Sequence, residues 1–406
     1  MILAAAALAL LHNAQNFEQR GFLELRNNGY FQTAPNDSAR YVGESLLRYE
    51  ATWRPKPWLK LTTGFDGRFD THRQFDRDLR LDFEDRRIQR PALSLRRFSA
   101  QMHKGNWTFE VGRQFIRWGK TDLLNPTDRF APKDFLNVAY SDFMAVPAAR
   151  LTFERGSDTI DVVVQARFTP SRGPLLNQRW VSLPAQLDGV RLLDRGARYP
   201  GGTPAGIRWN HIARGYEYSL MFYEGHNHLP LFEGKPVSFA PVTVAAQRYY
   251  PHLRQYGADF AAPLRWFTVK AESAYYTSKT RDTDEFLLYV VQLERLVGEW
   301  TFVGGYAGEV VTKATGNQLT FFPDRGMAKA FLGRAAYTID PNRSVAFDTA
   351  VRQNGEGFLG RLEYSQTFGQ HWRATAQLSA IRGASGDFLG QYRRNSSAAL
   401  ILRYSF

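Results

Sequence analysis

Rows of ionisable side chains recur along this chain at every second position of short alternating stretches. The cationic members are Arg48, Lys60, Arg68, Arg150, Arg167, Arg208, Lys270, Arg334, Arg352, Arg361, Arg373 and Arg403. The acidic members are Glu110, Asp161, Asp259, Glu272, Asp348 and Glu363. Residues i, i+2 and i+4 share one face of a strand, so each row marks one face. Across strands about 5 Å apart, opposite charges can pair along the ladder. An arginine left over from such pairing would draw an anionic solute or polymer. The pattern therefore offers either a wet wall of paired charges or an anion path. Enzyme chemistry has less support. His226-Asn227-His228 has metal-like spacing, but only Glu224 and Glu233 lie near it in sequence. Ser365 and His371 have no context that marks a nucleophile and base, and no phosphate-binding glycine loop or zincin motif occurs. No enzyme activity, cofactor or metal is expected.

The faces opposite the charges are apolar: Leu47, Tyr49, Ala51 and Trp53, then Leu59, Leu61, Phe65 and Phe69, then Ile160, Val162, Val164, Ala166 and Phe168. Such stretches recur about eighteen times from residue 21 to the end, an even number, as in single-chain membrane barrels. Their connections alternate. Tight turns such as Pro55-Lys56-Pro57, Lys104-Gly105-Asn106 and Asp340-Pro341-Asn342 exchange with long segments, notably 70–91, 119–143, 170–205 and 225–250. Short turns on one side and long loops on the other are the asymmetry of outer-membrane barrels. A soluble sandwich or propeller, the competing all-β architecture, has no reason to show it. The expected fold is all-β: a transmembrane antiparallel up-and-down β-barrel of about eighteen strands, closed between the first and last strands.

Composition agrees. The chain has 406 residues, 44% of them hydrophobic and 14% aromatic, and past the N-terminus no apolar run reaches the length of a spanning helix. There is no cysteine, which excludes a disulfide scaffold and a thiolate metal site. The formal charge is +13, but the basic residues are scattered among acids along the chain, which argues against nucleic acid as a partner. Because the strand rows are nearly balanced, the excess is expected in loops, as at Arg172, Arg179, Arg191, Arg195 and Arg198. At the outer face such residues could meet lipopolysaccharide phosphate. Residues 1–14 read as the remnant of a signal peptide, with His12 at a site that favours a small residue, and 15–406 as one barrel domain.

Two segments carry resemblances. Ser396–Phe406 alternates Ala398, Leu400, Leu402, Tyr404 and Phe406 against Ser397, Ala399, Ile401, Arg403 and Ser405. It resembles the terminal strand that outer-membrane assembly machinery reads, which implies that machinery as a partner and the outer membrane of a Gram-negative bacterium as the location. Gly112–Phe130, with Gly112-Arg113-Gln114, Trp118-Gly119, Asn125-Pro126 and Asp128, resembles a segment of porin-like and alginate-export-type barrels. In those a loop at this point can fold inward and narrow the pore, a role that would fall here to Arg113, Trp118, Asn125, Pro126, Asp128 and Arg129. Simple alternation points Arg113 at lipid, so a β-bulge near Gly112 is expected to turn it inward. The resemblance implies a channel, with export of an acidic or polar polysaccharide alongside periplasmic export proteins as its first reading. Uptake of small anions or organic acids is the second. A plugged barrel with a structural or lipid-hydrolase role is the reading of another class.

Overall fold

The computed structural model describes residues 16–406 apart from 80, 82, 182–189, 282 and 316–322. The signal-peptide expectation for 1–14 falls outside them. Among the described residues, eighteen antiparallel strands close into one ring, and a nineteenth, Phe75–Leu79, pairs parallel at its rim. The ring begins with Phe17–Tyr30, Tyr41–Lys56, Leu59–Asp70, Arg90–Lys104, Trp107–Gln114, Val146–Arg155, Asp158–Gln165, Ala205–Ala213 and Tyr216–His226. It continues with His252–Pro263, Thr268–Thr277, Glu285–Val297, Trp300–Lys313, Ala330–Asp340, Arg343–Arg352, Gly357–Phe368, Trp372–Gly383 and Ser397–Ser405. Each expected stretch became one strand. The seam pairs Leu25 with Leu402, and Gly21 and Phe406 exchange backbone hydrogen bonds of 2.9 and 3.0 Å. Closure at the seam spares the ring a free edge in lipid, where an unpaired backbone group costs several kcal/mol.

The outward rows form an apolar belt: Leu23, Leu25, Leu47, Phe98, Leu220, Val291, Leu362, Leu400 and others stand exposed. Near the short turns the belt ends in exposed Trp58, Trp107, Trp266, Trp300 and Trp372, an interfacial girdle. A closed ring wrapped in such a belt is an outer-membrane barrel, because lipid tolerates only fully paired backbone and rewards apolar surface.

Several expectations fail for local reasons. The fifth strand ends at Gln114, not Trp118, because Ile116 and Trp118 turn into an interior core. No register shift occurs across Gly112. Instead Gly112 has φ +123°, and a Cβ there would lie 2.2 Å from the Phe98 carbonyl oxygen. That left-handed backbone, open to glycine alone, does what a bulge was expected to do. Strand Asp158–Gln165 stops short of Arg167, which stands exposed above the ring and pairs with Glu84 at 2.7 Å. Phe168 is buried, stacked on His228 at 5.5 Å, and does not face lipid. Segments 170–205 and 225–250 contribute strands of their own. Arg191–Arg198 pairs parallel with Val242–Tyr249, which pairs antiparallel with Leu231–Phe239, giving a small sheet beyond the barrel.

Candidate functional site

The connection between Trp107–Gln114 and Val146–Arg155 does not stay outside. It enters the bore and divides it. Its first half, 115–131, lies on the wall from Ala205 to Val297. Glu272 is almost fully buried there. Its carboxylate accepts from the backbone N–H of Lys120 (3.0 Å), Thr121 (3.2 Å) and Thr127 (2.8 Å), and from both threonine hydroxyls (2.9 and 2.7 Å). Gln292 accepts from Asp122 N–H at 2.9 Å, and Lys270 donates to Asp122 at 2.7 Å. The Lys120 ammonium lies 2.9 Å from Asp259 and 2.8 Å from Glu217, and Arg208 lies 3.1 Å from Asp259. Within the loop, Asp128 accepts from Gly119 N–H at 3.0 Å and from Trp118 N–H and Arg117. Pro126 offers its carbonyl to Tyr276 and, at 3.4 Å, to Gln255.

Below these polar ties lies an apolar core of Ile116, Trp118, Phe130, Met221, Tyr223, Leu253, Tyr276 and Phe286. Trp118 and Tyr223 meet the Phe130 ring edge-on, with centroids 5.1 Å away in both cases. Each such side chain contributes about 1.5–3 kcal/mol by leaving water. Arg129 packs over the Tyr276 ring and pairs with Asp324 at 3.5 Å. Of the constriction candidates, Trp118 and Asp128 are thus buried in the loop's attachment, and Asn125 bonds within the loop. Arg113 lies inside, 3.1 Å from Asp85, with its other guanidinium nitrogen 2.6 Å from the Phe83 carbonyl.

The second half of the loop reaches the far wall. Tyr140 donates to Gln377 at 3.0 Å, and its ring lies under the Arg26 guanidinium at 4.4 Å and near Arg361 at 5.6 Å. Asp142 meets Arg48 at 2.8 Å, Arg96 at 3.3 Å and Arg68 at 3.8 Å. Burial alone would raise the Asp142 pKa, but these guanidiniums hold it below the ordinary carboxylate value. Burial acts the same way on Asp134, and Arg90 at 2.8 Å and Arg172 at 3.1 Å outweigh it, keeping that carboxyl far below its usual range.

Between this half and the wall lies a cavity of about 480 Å³. Six arginines line it, Arg26, Arg48, Arg68, Arg90, Arg361 and Arg403, against four acids, Glu24, Glu44, Asp70 and Asp142. Arg403 donates to Glu24 across the seam at 2.9 Å and lies over the Phe22 ring. Arg48, Arg68, Arg361 and Arg403 of the sequence candidates meet here. Two of these are paired as well, Arg48 with Asp66 at 2.7 Å and Arg361 with Asp348 at 2.9 Å, and the remaining candidates lie elsewhere. Arg150 pairs with Asp161 (3.0 Å), Arg334 with Asp348 (2.8 Å), Arg352 with Asp387 (2.9 Å), Glu110 with Arg97 (3.2 Å), and Glu363 accepts from Gln377. Lys270, Asp259 and Glu272 hold the loop, and Arg208 pairs with Asp259 beside them. Lys60 is half-buried and Arg373 is exposed near the short-turn end. His228 faces the carbonyls of Thr169 and Arg129 at 2.7 and 2.6 Å, so it ties loops together rather than offering a metal a nitrogen. Sequence reasoning missed Arg90, Tyr140 and Asp142 as cavity residues. Arg26 is legible from its parity, but the loop residues carry no periodic signal.

No protein-family model and no curated protein matches the chain. Solved structures do match over nearly its whole length. OpdQ of Pseudomonas aeruginosa aligns with a TM-score of 0.55 at 9% identity, covering 96% of this chain and 98% of that one. A BenF-like porin of Pseudomonas fluorescens aligns with a TM-score of 0.54 at 10% identity, covering 96% and 97%. OpdK of Pseudomonas aeruginosa, in a structure with vanillate, aligns with a TM-score of 0.51 at 11% identity, covering 96% and 98%. At such identities the likeness concerns the fold, and the alginate-export resemblance drawn from Gly112–Phe130 finds no support in these structures. The chain has the closed eighteen-strand barrel of outer-membrane porins and belongs in the outer membrane of a Gram-negative bacterium.

Proposed function

We propose that the barrel is a porin-type channel for small organic anions, carboxylates foremost, which pass on the arginine-lined side of the inward loop. The observation that carries this is the cavity in which six arginines face four acids. A positive excess in a low-dielectric cleft concentrates anions and speeds their entry. A guanidinium fork also matches a carboxylate's two oxygens. The volume, about 480 Å³, suits a small molecule. A loop fastened to both walls divides the bore, which favours compact solutes over a polymer strand and sets uptake of organic acids above polysaccharide export. OpdK, one of the structures with this fold, holds vanillate, a carboxylate, which fits the same reading. The test is a planar-bilayer reversal potential under a salt gradient, with benzoate added as a blocker. Anion selectivity and block of the current are expected. A cation-selective current indifferent to benzoate would overturn the reading.

A further inference from the structure

The same inward rows that carry the cavity's arginines end, one or two positions further toward the long loops, in apolar side chains. Tyr30 stands above Arg26, Val42 above Glu44, and Leu359 above Arg361. Tyr30, Val42, Ile381 and Tyr392 pack with one residue from elsewhere, Trp180, and Val138, Ala139, Leu359 and Phe388 close around them. Trp180 belongs to the long connection that leaves strand Asp158–Gln165, the seventh of the eighteen and six strands from the one that carries Tyr30. To reach the seam, that connection crosses the mouth of the barrel. It is fastened midway, where Ser171 N–H donates to the His228 carbonyl (2.9 Å) and Arg172 sits between Asp134 (3.1 Å) and Asp85. Beyond that point Gln178 donates to the His72 carbonyl at 2.8 Å. Arg179 lies over the Tyr30 ring at 3.6 Å and donates to the Asn395 side chain at 3.3 Å and the Ala39 carbonyl, and Asn395 donates back to the Arg179 carbonyl at 3.0 Å.

We propose that residues 173–181 are a strap that shuts the arginine-lined cavity from outside, and that its release at Arg179 and Trp180 opens the path.

Two features make the closed strap releasable. The Arg179 side chain is almost fully buried, yet its nearest carboxylate, Asp37, is 3.6 Å away and is shared with His72 at 2.6 Å. Burial draws its pKa below the ordinary arginine value, the mark of a charge poorly repaid for lost water. Asn28 lies on the inward row between Arg26 and Tyr30, directly under the apolar cover. It is 1% exposed, and among the described residues neither its amide nitrogen nor its oxygen has a hydrogen-bond partner. A buried amide in that state favours any conformation that lets water in. Opening the strap would wet both groups at once.

This proposal rests on the channel reading, and the experiment separates the two. The chain has no cysteine, so a single Ser141→Cys on the cavity lining reports access. Cells are treated from outside with a membrane-impermeant maleimide. Heat-modifiable gel migration confirms a folded barrel in each variant. Adding Arg179→Ala and Trp180→Ala is expected to speed labelling at position 141 by about tenfold or more, since each removes a buried contact. Tethering the strap, by oxidising Gln178→Cys against His72→Cys before the maleimide is added, is expected to slow labelling below the parent. Equal rates in parent, released and tethered forms would overturn the strap. Fast labelling of the released form with no anion current in bilayers would instead overturn the channel reading and leave the strap standing as a cover.

Discussion

The two halves of the bore differ in what their wall charges do. On the side from Ala205 to Val297, Glu217, Asp259, Lys270, Glu272 and Gln292 are all spent on holding loop residues 120–127, over a core built on Trp118, Phe130 and Tyr276. On the seam side, Arg26, Arg48, Arg361 and Arg403 keep part of their surface toward a cavity of about 480 Å³. Both walls read alike in sequence, as alternating strands with charges on the inner face. What separates them is which wall the loop lies on. The barrel thus uses the side under the loop as an ordinary protein core, and that side gives the other a fixed shape.

Removing the attachment should have the largest effect. Glu272→Ala strands the loop's donors and should cost about 3 kcal/mol or more of loop anchoring. Larger and noisier single-channel conductance is expected in bilayers. Unchanged conductance would mean that the core alone holds the loop. Charge reversal on the open side comes next. Arg26→Glu with Arg361→Glu should lower anion-over-cation permeability by about tenfold with the barrel intact, read from reversal potentials. The same reversal at Arg352, which is tied to Asp387, should leave selectivity unchanged. A smaller effect follows from acid. Asp142 has a folded pKa below its unfolded value of about 4, so its stabilisation is complete above that value and is lost as pH falls through the depressed one. Channel noise should therefore be flat from pH 7 to about pH 4 and rise only in stronger acid. Noise that rises already near pH 6 would point to a histidine instead. The smallest effect is expected outside both halves. Arg167→Gln breaks an exposed pair with Glu84 and should shift stability by under about 1 kcal/mol with no change in current.

The ring was legible in the sequence because lipid enforces it. A strand facing hydrocarbon must alternate, and the alternate residues of the strands, from Leu23 in the first to Leu402 in the last, report that constraint. The interior was not legible in the same way. Glu272 meets Thr127 at a separation of 145 positions and Lys120 at 152, and nothing periodic announces such contacts. Parity alone places Arg48, Arg361 and Arg403 on the inner face, but it gives Glu272 and Arg361 the same status, although one is an anchor and the other lines the cavity. The outer sheet was missed because its parallel pair joins Arg191–Arg198 to Val242–Tyr249, strands far apart in the chain. Gly112 was seen as a break in the pattern, and only its φ of +123° shows how the break is made.

The ion pair between Glu24 and Arg403 has a consequence for biogenesis. It joins residues 379 positions apart, and both line the arginine cavity. The proposed solute path is therefore walled by the two ends of the chain, and its last wall exists only once the final strand has docked on the first. Contacts of such sequence separation are the slowest to form. An assembly intermediate would already hold the loop on its core while having no selective path at all, so a half-inserted barrel would leak without discrimination or not conduct. On the proposed path, selectivity is a property of completed closure.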